Sequence, residues 1–270
     1  MPELPEVEHA ASTLRLWLAE APVLRARAAA TRLFRAGDHR LFEQRLTGRR
    51  LERVERRGKV LLLSFDGDVG LLSHLGMTGK WVRRPGSDTP AHSHAQLELP
   101  GAFVLHYCDP RLFGRLEVHR AVDLLDLPVV RALGPDPILD GIDVAALHGR
   151  LEGTARAVKV AIMDQAVLAG IGNIYATEAL FRAGIHPARP ARSLTRREVG
   201  RLAKGIEAAL GEVLGRPAEE IAYLSEGGAV QNPFLVYDRE GEPCPRCGRA
   251  LEKRVIGGRA SVFCGRCQKG

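Results

Sequence analysis

The spacing of apolar residues differs between regions of the chain. From Leu4 the apolar positions recur every three or four residues through Leu18, which predicts one helix with a buried stripe that ends near Pro22. From residue 23 to about 127 the apolar runs become short, and Gly, Asp and Pro separate them. The runs VLLLSF, VGLLSHLGM, HAQLEL and AFVLHY are typical of antiparallel strands in a sandwich or barrel.

The second half of the chain predicts helices. The Pro-rich stretch LGPDPILDG at 133–141 indicates a linker, and Ala- and Leu-rich segments with helical periodicity follow to about residue 224. Thr195 and Glu198 have the spacing of a capping box, which opens a helix that runs to about Leu214. The segment 225–242 is rich in Gly and polar residues and predicts a mobile loop that enters a hairpin.

These patterns predict an α+β protein with two domains. We expect a first domain at 1–132, made of an N-terminal helix and an antiparallel β-sandwich, and a linker at 133–141. A helical domain follows at 142–224, then the loop at 225–242, and a small hairpin element at 243–270 completes the chain.

The charge balance favours a polyanionic partner. The 270 residues include 39 Lys and Arg against 32 Asp and Glu, which gives a net charge of +7 and a pI near 9.5. No stretch approaches the roughly 18 apolar residues that a membrane span needs, and the acidic start of the chain lacks the order of a signal peptide. We therefore expect a cytoplasmic protein that needs no membrane.

Four of the five cysteines are grouped for metal binding. They form CPRC and CGRC knuckles near the end of the chain, and four thiolates at this spacing can enclose one zinc ion as a tetrahedron; the ligands are Cys244, Cys247, Cys264 and Cys267. Because four sulfur ligands leave no position open for water, we expect the zinc to be structural. A redox pair is disfavoured, since such motifs do not come in matched pairs at a chain end.

Three basic or amide residues are candidate phosphate contacts. Arg259 follows the Gly257-Gly258 turn of the predicted hairpin, where it suits either a phosphate contact or a solvated surface arginine. Asn173 ends the turn G-I-G-N before a helix, a pattern that suits either phosphate binding by free amides or an ordinary Asn cap. Lys159, on the preceding helical segment, could also meet a nucleic-acid backbone, or it could be an ordinary surface lysine.

The opening MPELPEVE is unusual in its chemistry. Removal of Met1 would leave Pro2 with a terminal secondary amine, and chain-terminal amines titrate near pH ~8, so part of it would be nucleophilic at neutral pH. Attack by such an amine on a sugar C1′ gives an iminium that acts as an electron sink. Glu3 and Glu6 lie three residues apart in the first helical turn, where one carboxyl could protonate an oxygen and the other could assist a proton transfer. Prolines and acids are also favoured there for purely structural reasons.

Six motifs together resemble the formamidopyrimidine-DNA glycosylase family. They are MPELPEVE, RRGK at 56–59, HLGMTG at 74–79, DPRLFG at 109–114, AGIGNIYATEALF at 169–181 and the terminal GRASVFCGRCQ. The resemblance covers both domains in order. It implies a helix–two-turn–helix fold for the second domain, a zinc finger at the end, damaged double-stranded DNA as partner, and a monomer.

The resemblance also implies roles for individual residues. Pro2 is the nucleophile that displaces a damaged base and forms a Schiff base, Glu3 is the general acid/base in sugar-ring opening, and Glu6 supports the site. Lys59 matches the family's active-site lysine and would hold a phosphate beside the lesion, where the catalytic-site residue Arg259 and Asn173 would contact the same backbone stretch. A further backbone contact is implied for His74. The gap left when a nucleotide is rotated out of the stack is filled by Met77, Arg111 and Phe113. As isolated residues, Met77 and Phe113 would suit the core equally well.

The expected activity is that of a bifunctional DNA glycosylase/AP lyase of base excision repair. It would act on oxidised or ring-opened purines and complete β,δ-elimination at the abasic site. Four residues differ from those usual in the family's motifs. Leu112 replaces a second arginine, Ser93 gives HSHA in place of HDHV, Cys108 replaces a polar residue, and Asp238 replaces a glycine. These departures keep two alternatives open: a preference for bulky alkylated bases or crosslinks, or a damaged-DNA-binding protein without turnover. An RNA-associated zinc-ribbon protein would leave the N-terminal acids unexplained.

Overall fold

The computed structural model describes residues 2–19, 21–34, 38–216 and 232–270, and the chain divides into two compact units, Met1–Arg131 and Ala132–Gly270. The first unit contains two antiparallel sheets, and the second contains helices and a C-terminal hairpin. The α+β class is therefore confirmed. The predictions for Met1 and for residues 225–231 of the expected loop lie outside the described residues. In the described part of the chain, no helix is long and apolar enough to cross a membrane.

The N-terminal helix α1 spans Leu4–Leu18 and therefore ends before Pro22. Its buried stripe includes Val7, Ala11 and Leu14, which keep the spacing of three and four that the sequence predicts. Pro5 occupies the first turn, where its missing N–H has no helical partner to lose.

Eight strands lie in the part of the first unit that the structure describes. They are β1 (Arg25–Ala28), β2 (Leu51–Arg57), β3 (Val60–Phe65), β4 (Val69–His74), β5 (Lys80–Pro85), β6 (Ser93–Leu99), β7 (Phe103–Cys108) and β8 (Arg115–His119). Four form a sheet of order β1-β6-β7-β5, and four form a sheet of order β2-β3-β4-β8, with every pair antiparallel. The Trp81 indole on β5 donates to Ser73 Oγ on β4 at 3.1 Å, so the two sheets meet as a sandwich.

The sheet β2-β3-β4-β8 provides much of the core. All six residues of VLLLSF in β3 are buried, as the continuous apolar run predicts for a central strand covered on both faces. Because neighbouring strands are antiparallel, β2 ends, β3 begins, β4 ends and β8 begins at the same end of this sheet. The loops at that end carry several of the predicted site residues.

The structure contains short helices in the first unit that the sequence did not predict. Helix α2 spans His39–Leu46 within the region expected to hold only strands, and α3 (Pro128–Arg131) follows a 3₁₀ turn at Ala121–Asp126. Helix α2 buries only Phe42 and Leu46, and its preceding Asp38 makes no side-chain cap. Two apolar residues four apart are too weak a periodic signal to separate a short helix from a loop.

In the second unit, the described residues (132–216 and 232–270) form four α-helices and one hairpin. They are α4 (Val144–Glu152), α5 (Val158–Ile162), α6 (Asn173–Ala183), α7 (Arg196–Leu214), β9 (Glu252–Ile256) and β10 (Arg259–Phe263). Thr195 and Glu198 form the predicted capping box of α7, with Thr195 N donating to Glu198 Oε2 at 2.9 Å. Helices α6 and α7 pack closely, because a Cβ at Gly205 would lie 2.6 Å from Ala179 O.

Candidate nucleic-acid and catalytic site

The start of α1 holds a buried acidic pair next to Pro2. Pro2 is buried, Glu3 is fully buried and Glu6 is 5% exposed. The Glu6 carboxylate accepts the Glu3 backbone N–H at 2.8 Å in a capping-box arrangement, so the first turn is rigid. The structural and the chemical explanation of these acids are therefore compatible, since the same contact that caps the helix fixes both carboxyls beside Pro2.

A buried ion pair links α1 to the turn that carries Lys59. Glu8 lies further along α1 and binds Arg56 Nε at 2.6 Å, and the Arg56 side chain is fully buried. The same guanidinium donates to Gly58 O at 3.2 Å, in the turn between β2 and β3. Half-buried Lys59 is the next residue of that turn. Neither Glu8 nor Arg56 was singled out from the sequence, although both stand inside the quoted motifs.

His74 lies beside Lys59 at the same end of the sheet. It pairs with Val60 across β3 and β4 and with Arg115 across β4 and β8. Burial, together with the charges of Arg115 and Lys59, lowers the pKa of His74 to about 4. The Gly76 N–H donates to His74 Nδ1 at 3.0 Å, which puts the proton of the neutral ring on Nε2. At physiological pH, His74 is thus a neutral hydrogen-bond donor.

Two loops at this end of the sheet bring Met77 close to the segment of Arg111 and Phe113. Met77 is 39% exposed and Phe113 is 47% exposed, so neither is a core residue. A Cβ at Gly76, whose φ is +62°, would lie 2.4 Å from the Phe113 carbonyl carbon. Only glycine permits this approach of the two backbones.

Fully buried Asp109 ties these two loops together. One of its oxygens, Oδ1, accepts from Thr78 Oγ1 at 2.5 Å and from the Arg111 N–H at 3.2 Å. The other, Oδ2, accepts the Gly114 N–H at 2.8 Å. Because one carboxylate satisfies donors in both loops, it holds them in fixed relation. Its place in the DPRLFG motif was visible in the sequence, but its partners were not.

In the second unit, Asn173 begins α6 as predicted, and Gly172 is the N-cap residue. Gln165 organises the preceding turn: its side chain accepts the Gly170 N–H at 2.9 Å and donates to Ile171 O at 2.8 Å. Asn173 Oδ1 is buried and has no hydrogen-bond partner in the described part of the chain. The helix start therefore retains an unused polar group of Asn173, the residue predicted to contact phosphate.

Lys159 was predicted to contact a nucleic-acid backbone, with an ordinary surface lysine as the alternative, and the structure instead buries its side chain. It is fully buried on α5, and its ammonium donates to Ala260 O at 3.0 Å and to Ser261 Oγ at 2.6 Å. Its side chain thus supports the strand that begins with Arg259. The physical reason is the contact between α5 and the hairpin turn: a Cβ at Gly257 would lie 2.4 Å from Val160 Cγ2.

Arg259 begins β10 directly after the Gly257-Gly258 turn and is exposed. Both glycines have positive φ angles, +57° and +75°, which is the backbone that a tight hairpin turn of this kind requires. Arg259 lines a small cavity of about 220 Å³ together with Arg156, Met163 and Asp164. Its guanidinium is accessible for an anionic partner.

The four predicted zinc ligands are grouped in space. Their Sγ atoms all lie within 4.8 Å of one another, and the pairs Cys244–Cys267 and Cys247–Cys264 are separated by 3.9 and 3.6 Å. A tetrahedron with Zn–S bonds of ~2.3 Å requires sulfur atoms roughly 3.8 Å apart, so the four residues suit one zinc ion.

Two of the residues that differ from the family's usual motifs have positive φ angles. Leu112 has φ +53° and Asp238 has φ +60°, both in the left-handed region that glycine or asparagine usually occupies. Cys108 is buried next to Asp109, and Ser93 Oγ lies 2.9 Å from His106 Nδ1. These contacts explain how the residues fit the fold.

A sandwich unit with buried acids at a helix start and an exposed apolar and basic loop cluster suits chemistry on DNA. The second unit adds a helix–two-turn–helix arrangement and a four-cysteine hairpin that binds one zinc ion. Together these features are typical of a DNA-binding protein whose helical unit ends in a zinc-finger hairpin.

Family models match along most of the chain. The formamidopyrimidine-DNA glycosylase N-terminal domain matches residues 1–116, the formamidopyrimidine-DNA glycosylase H2TH domain matches 133–222, and the zinc finger found in FPG and IleRS matches 241–270. The chain therefore belongs to the formamidopyrimidine-DNA glycosylase family, as the sequence motifs indicated.

Individual relatives resemble the chain over its full length. The formamidopyrimidine-DNA glycosylase of Thermus thermophilus is 40% identical over 274 residues, which cover 99% of this chain and 98% of the relative. The crystal structure of MutM (Fpg) from Thermus thermophilus has a TM-score of 0.85 at 38% identity and covers 99% of this chain and 98% of its own. Lactococcus lactis Fpg in complex with abasic-site DNA has a TM-score of 0.89 at 30% identity, with coverage of 99% and 100%.

Proposed function

We propose that this protein is a bifunctional glycosylase and AP lyase that excises oxidised or ring-opened purines from duplex DNA through a Schiff base on Pro2. The observation that carries the proposal is the rigid start of α1, where Glu3 and Glu6 are buried beside Pro2. The Glu8–Arg56 pair ties this helix to the turn of Lys59, so the acids and a phosphate-binding cation belong to one framework.

The first chemical step is base displacement. Once Met1 is removed, the Pro2 amine attacks C1′, a C1′–N bond to the protein forms, and the glycosidic bond breaks with its electrons passing to the base, which takes up the proton that the Pro2 nitrogen loses. Glu3 protonates the ring oxygen O4′, the sugar ring opens, and the Pro2 nitrogen becomes an iminium. Glu6 holds the backbone of Glu3 and thereby keeps that carboxyl in place.

The second step cleaves the strand. The iminium withdraws electrons from C1′, so a C2′ proton is removed and the 3′ phosphate leaves in β-elimination. Loss of the 5′ phosphate in δ-elimination follows, and water then hydrolyses the iminium to regenerate the free amine. A primary amine would have an N–H proton to lose at the iminium stage, whereas the secondary amine of proline keeps the positive charge that both eliminations use.

Each unit contributes its own contacts to DNA in this proposal. Lys59 and His74 of the first unit and Asn173 and Arg259 of the second bind backbone phosphates. Three side chains of the loops at the end of the sheet enter the gap left by the extruded nucleotide: Met77, Arg111 and Phe113. Lys159 acts through β10, because its ammonium already donates to Ala260 O and Ser261 Oγ.

In this proposal the protein acts as a monomer inside the cell, where its DNA substrate lies. The zinc ion is structural in this scheme, because the four sulfur ligands complete its coordination. The exposed loop cluster of the first unit supports double-stranded damaged DNA as the partner, since an apolar wedge is useful only within stacked bases.

The test is an excision assay on defined duplexes. Structures of Lactococcus lactis Fpg contain DNA with an abasic site, with FAPY-dG and with N7-benzyl-Fapy-dG, so these three and 8-oxoguanine form the panel. We expect cleavage at 8-oxoguanine and Fapy, together with strand cutting at the abasic site. Glu3→Gln should abolish base release while leaving binding to an abasic analogue intact.

Other outcomes would replace the proposal. Cutting of the abasic duplex alone would refute the assigned lesions, and excision confined to the benzylated base or to a crosslink would favour the bulky-lesion alternative. Tight binding of every duplex without cleavage of any would indicate a damaged-DNA-binding protein without turnover.

A further inference from the structure

Arg32 lies on a turn that is anchored against the start of β8. The neighbours of Arg32 in the turn, Leu33 and Phe34, are buried, and Leu33 O accepts the Leu116 N–H at 2.9 Å. Phe34 forms an isolated bridge with Leu116. Arg32 itself is exposed, so the turn is held by its apolar residues and not by the arginine.

The Arg32 guanidinium binds the carbonyls of the loop that carries Phe113. Its Nε donates to Leu112 O at 2.9 Å, and its Nη2 donates to Arg111 O. Asp109 accepts two backbone N–H groups of the same loop, those of Arg111 and Gly114. The loop backbone is therefore held through its N–H groups by a carboxylate and through its carbonyls by a guanidinium.

The loop needs such support because its backbone is unfavourable. Leu112 has φ +53°, a conformation that a residue with a branched side chain rarely adopts. A free loop would relax toward ordinary backbone angles and would carry Phe113 with it. The bonds from Arg32 fall on the carbonyls of Arg111 and Leu112, which flank this strained position.

Arg32 also contacts the ring of Phe113 itself. Its Cζ lies 5.3 Å from the ring centroid, and Arg111 Cζ lies 4.5 Å from the same centroid. Phe113 is about half exposed, so these two guanidinium groups contribute to the orientation of its ring. A cation over an aromatic face restricts the orientation of the ring.

We propose that Arg32 is a positioning residue that holds Phe113 ready to enter the DNA stack. The inference rests on the proposed function, in which Phe113 fills the gap left by the extruded nucleotide. Arg32 acts by holding the loop, and its Nε and Nη2 donors are already used for that purpose.

The main rival is a direct phosphate contact by Arg32. A lysine can replace an arginine as a point charge on phosphate, but it lacks the planar fork that binds two adjacent carbonyls and lies over a ring. Arg32→Lys and Arg32→Gln therefore separate the two roles. Arg25→Gln, at an exposed arginine of β1 in the same unit, is the matched control for loss of one positive charge.

The first experiment measures single-turnover base excision and the fluorescence of 2-aminopurine placed beside the lesion. We expect both Arg32 variants to lose roughly tenfold in excision rate, equivalent to about 1.4 kcal/mol, with a slower or smaller fluorescence change. The unfolding midpoint and the salt dependence of binding to an abasic analogue should match those of the Arg25→Gln control. Wild-type rates in both Arg32 variants would refute the inference. A wild-type rate in Arg32→Lys with a shallower salt slope in Arg32→Gln would assign the phosphate contact instead.

The second experiment does not depend on activity. Phe113→Trp is introduced with and without Arg32→Gln, and fluorescence anisotropy decay reports the mobility of the new indole above the background of Trp17 and Trp81. We expect greater mobility without Arg32. Unchanged mobility would overturn the inference even if excision occurs, whereas absence of excision by the wild-type protein would refute only the proposed function.

Discussion

Replacing Glu178 by glutamine should loosen the chain segment that leads into the zinc hairpin. Glu178 is 1% exposed on α6, and its carboxylate accepts three consecutive backbone amides: Oε2 binds Leu235 N at 3.0 Å, and Oε1 binds Val236 N and Tyr237 N, both at 2.9 Å. Residues 235–237 lead along the chain to Cys244, the first of the four zinc ligands. One buried side chain therefore joins the helix of Asn173 to the approach of the metal centre.

The size of the effect follows from these bonds. Glutamine keeps one carbonyl oxygen, so two bonds persist but lose their charge assistance, which is worth about 1 kcal/mol each. Its amide group would face the third backbone N–H, and that donor would be left unsatisfied at a cost of roughly 1–3 kcal/mol. These contributions add up to about 3–5 kcal/mol, so we expect local stability to fall by at least about 3 kcal/mol, equivalent to a factor of roughly a hundred or more in the opening equilibrium.

The assay is hydrogen exchange of the amides of Leu235, Val236 and Tyr237, measured by mass spectrometry on the zinc-loaded protein. Exchange should become faster by roughly a hundredfold or more, and zinc release to a chelating dye should accelerate with it. Glu207→Gln, at an exposed glutamate on α7, is the control and should leave both rates unchanged. Exchange of these three amides at the wild-type rate in Glu178→Gln would refute the reasoning.

Three further predictions concern charge. Glu198, whose pKa is lowered to about 2 by its bonds to Arg189 and by the Thr195 cap, stabilises the fold above its unfolded pKa near 4.5 and loses that contribution as pH falls towards 2. Glu198→Gln should thus cost about 2 kcal/mol in urea unfolding at pH 7, and a cost that persists undiminished at pH 2 would contradict this assignment. The His74 ring should titrate near pH 4 in an NMR experiment, with His74→Gln for assignment, and a midpoint near 6.5 would be evidence against its burial. Lys59→Ala should reduce the slope of log affinity against log salt by about one, whereas an unchanged slope would remove Lys59 from the phosphate contacts.

Local signals in the sequence predicted several features accurately. VLLLSF is the strand β3 to the residue, the Thr195–Glu198 box opens α7, and the helix ends at Leu214 as expected. Paired CxxC knuckles predicted the four-sulfur cluster. Each of these signals depends on residues close together in the chain, or on a metal geometry that fixes the spacing.

The features that escaped prediction depend on distant partners. The ammonium of Lys159 reaches Ala260, 101 residues away, and Glu178 reaches Leu235, 57 residues away. Nothing near Lys159 in the sequence distinguishes a buried support from a surface cation. Arg32 lies in unremarkable sequence, and its importance for the Phe113 loop is visible only when the carbonyls that it binds are known.

The most direct test of the account is reductive trapping on a duplex with a single abasic site, followed by mass spectrometry of the peptide that carries the DNA. Borohydride should give a covalent adduct at the nitrogen of Pro2 in a protein that lacks Met1, and a retained extra residue before Pro2 should abolish both the adduct and strand cutting. An adduct on a lysine such as Lys59, or full cutting by protein that still carries Met1, would contradict the central claim.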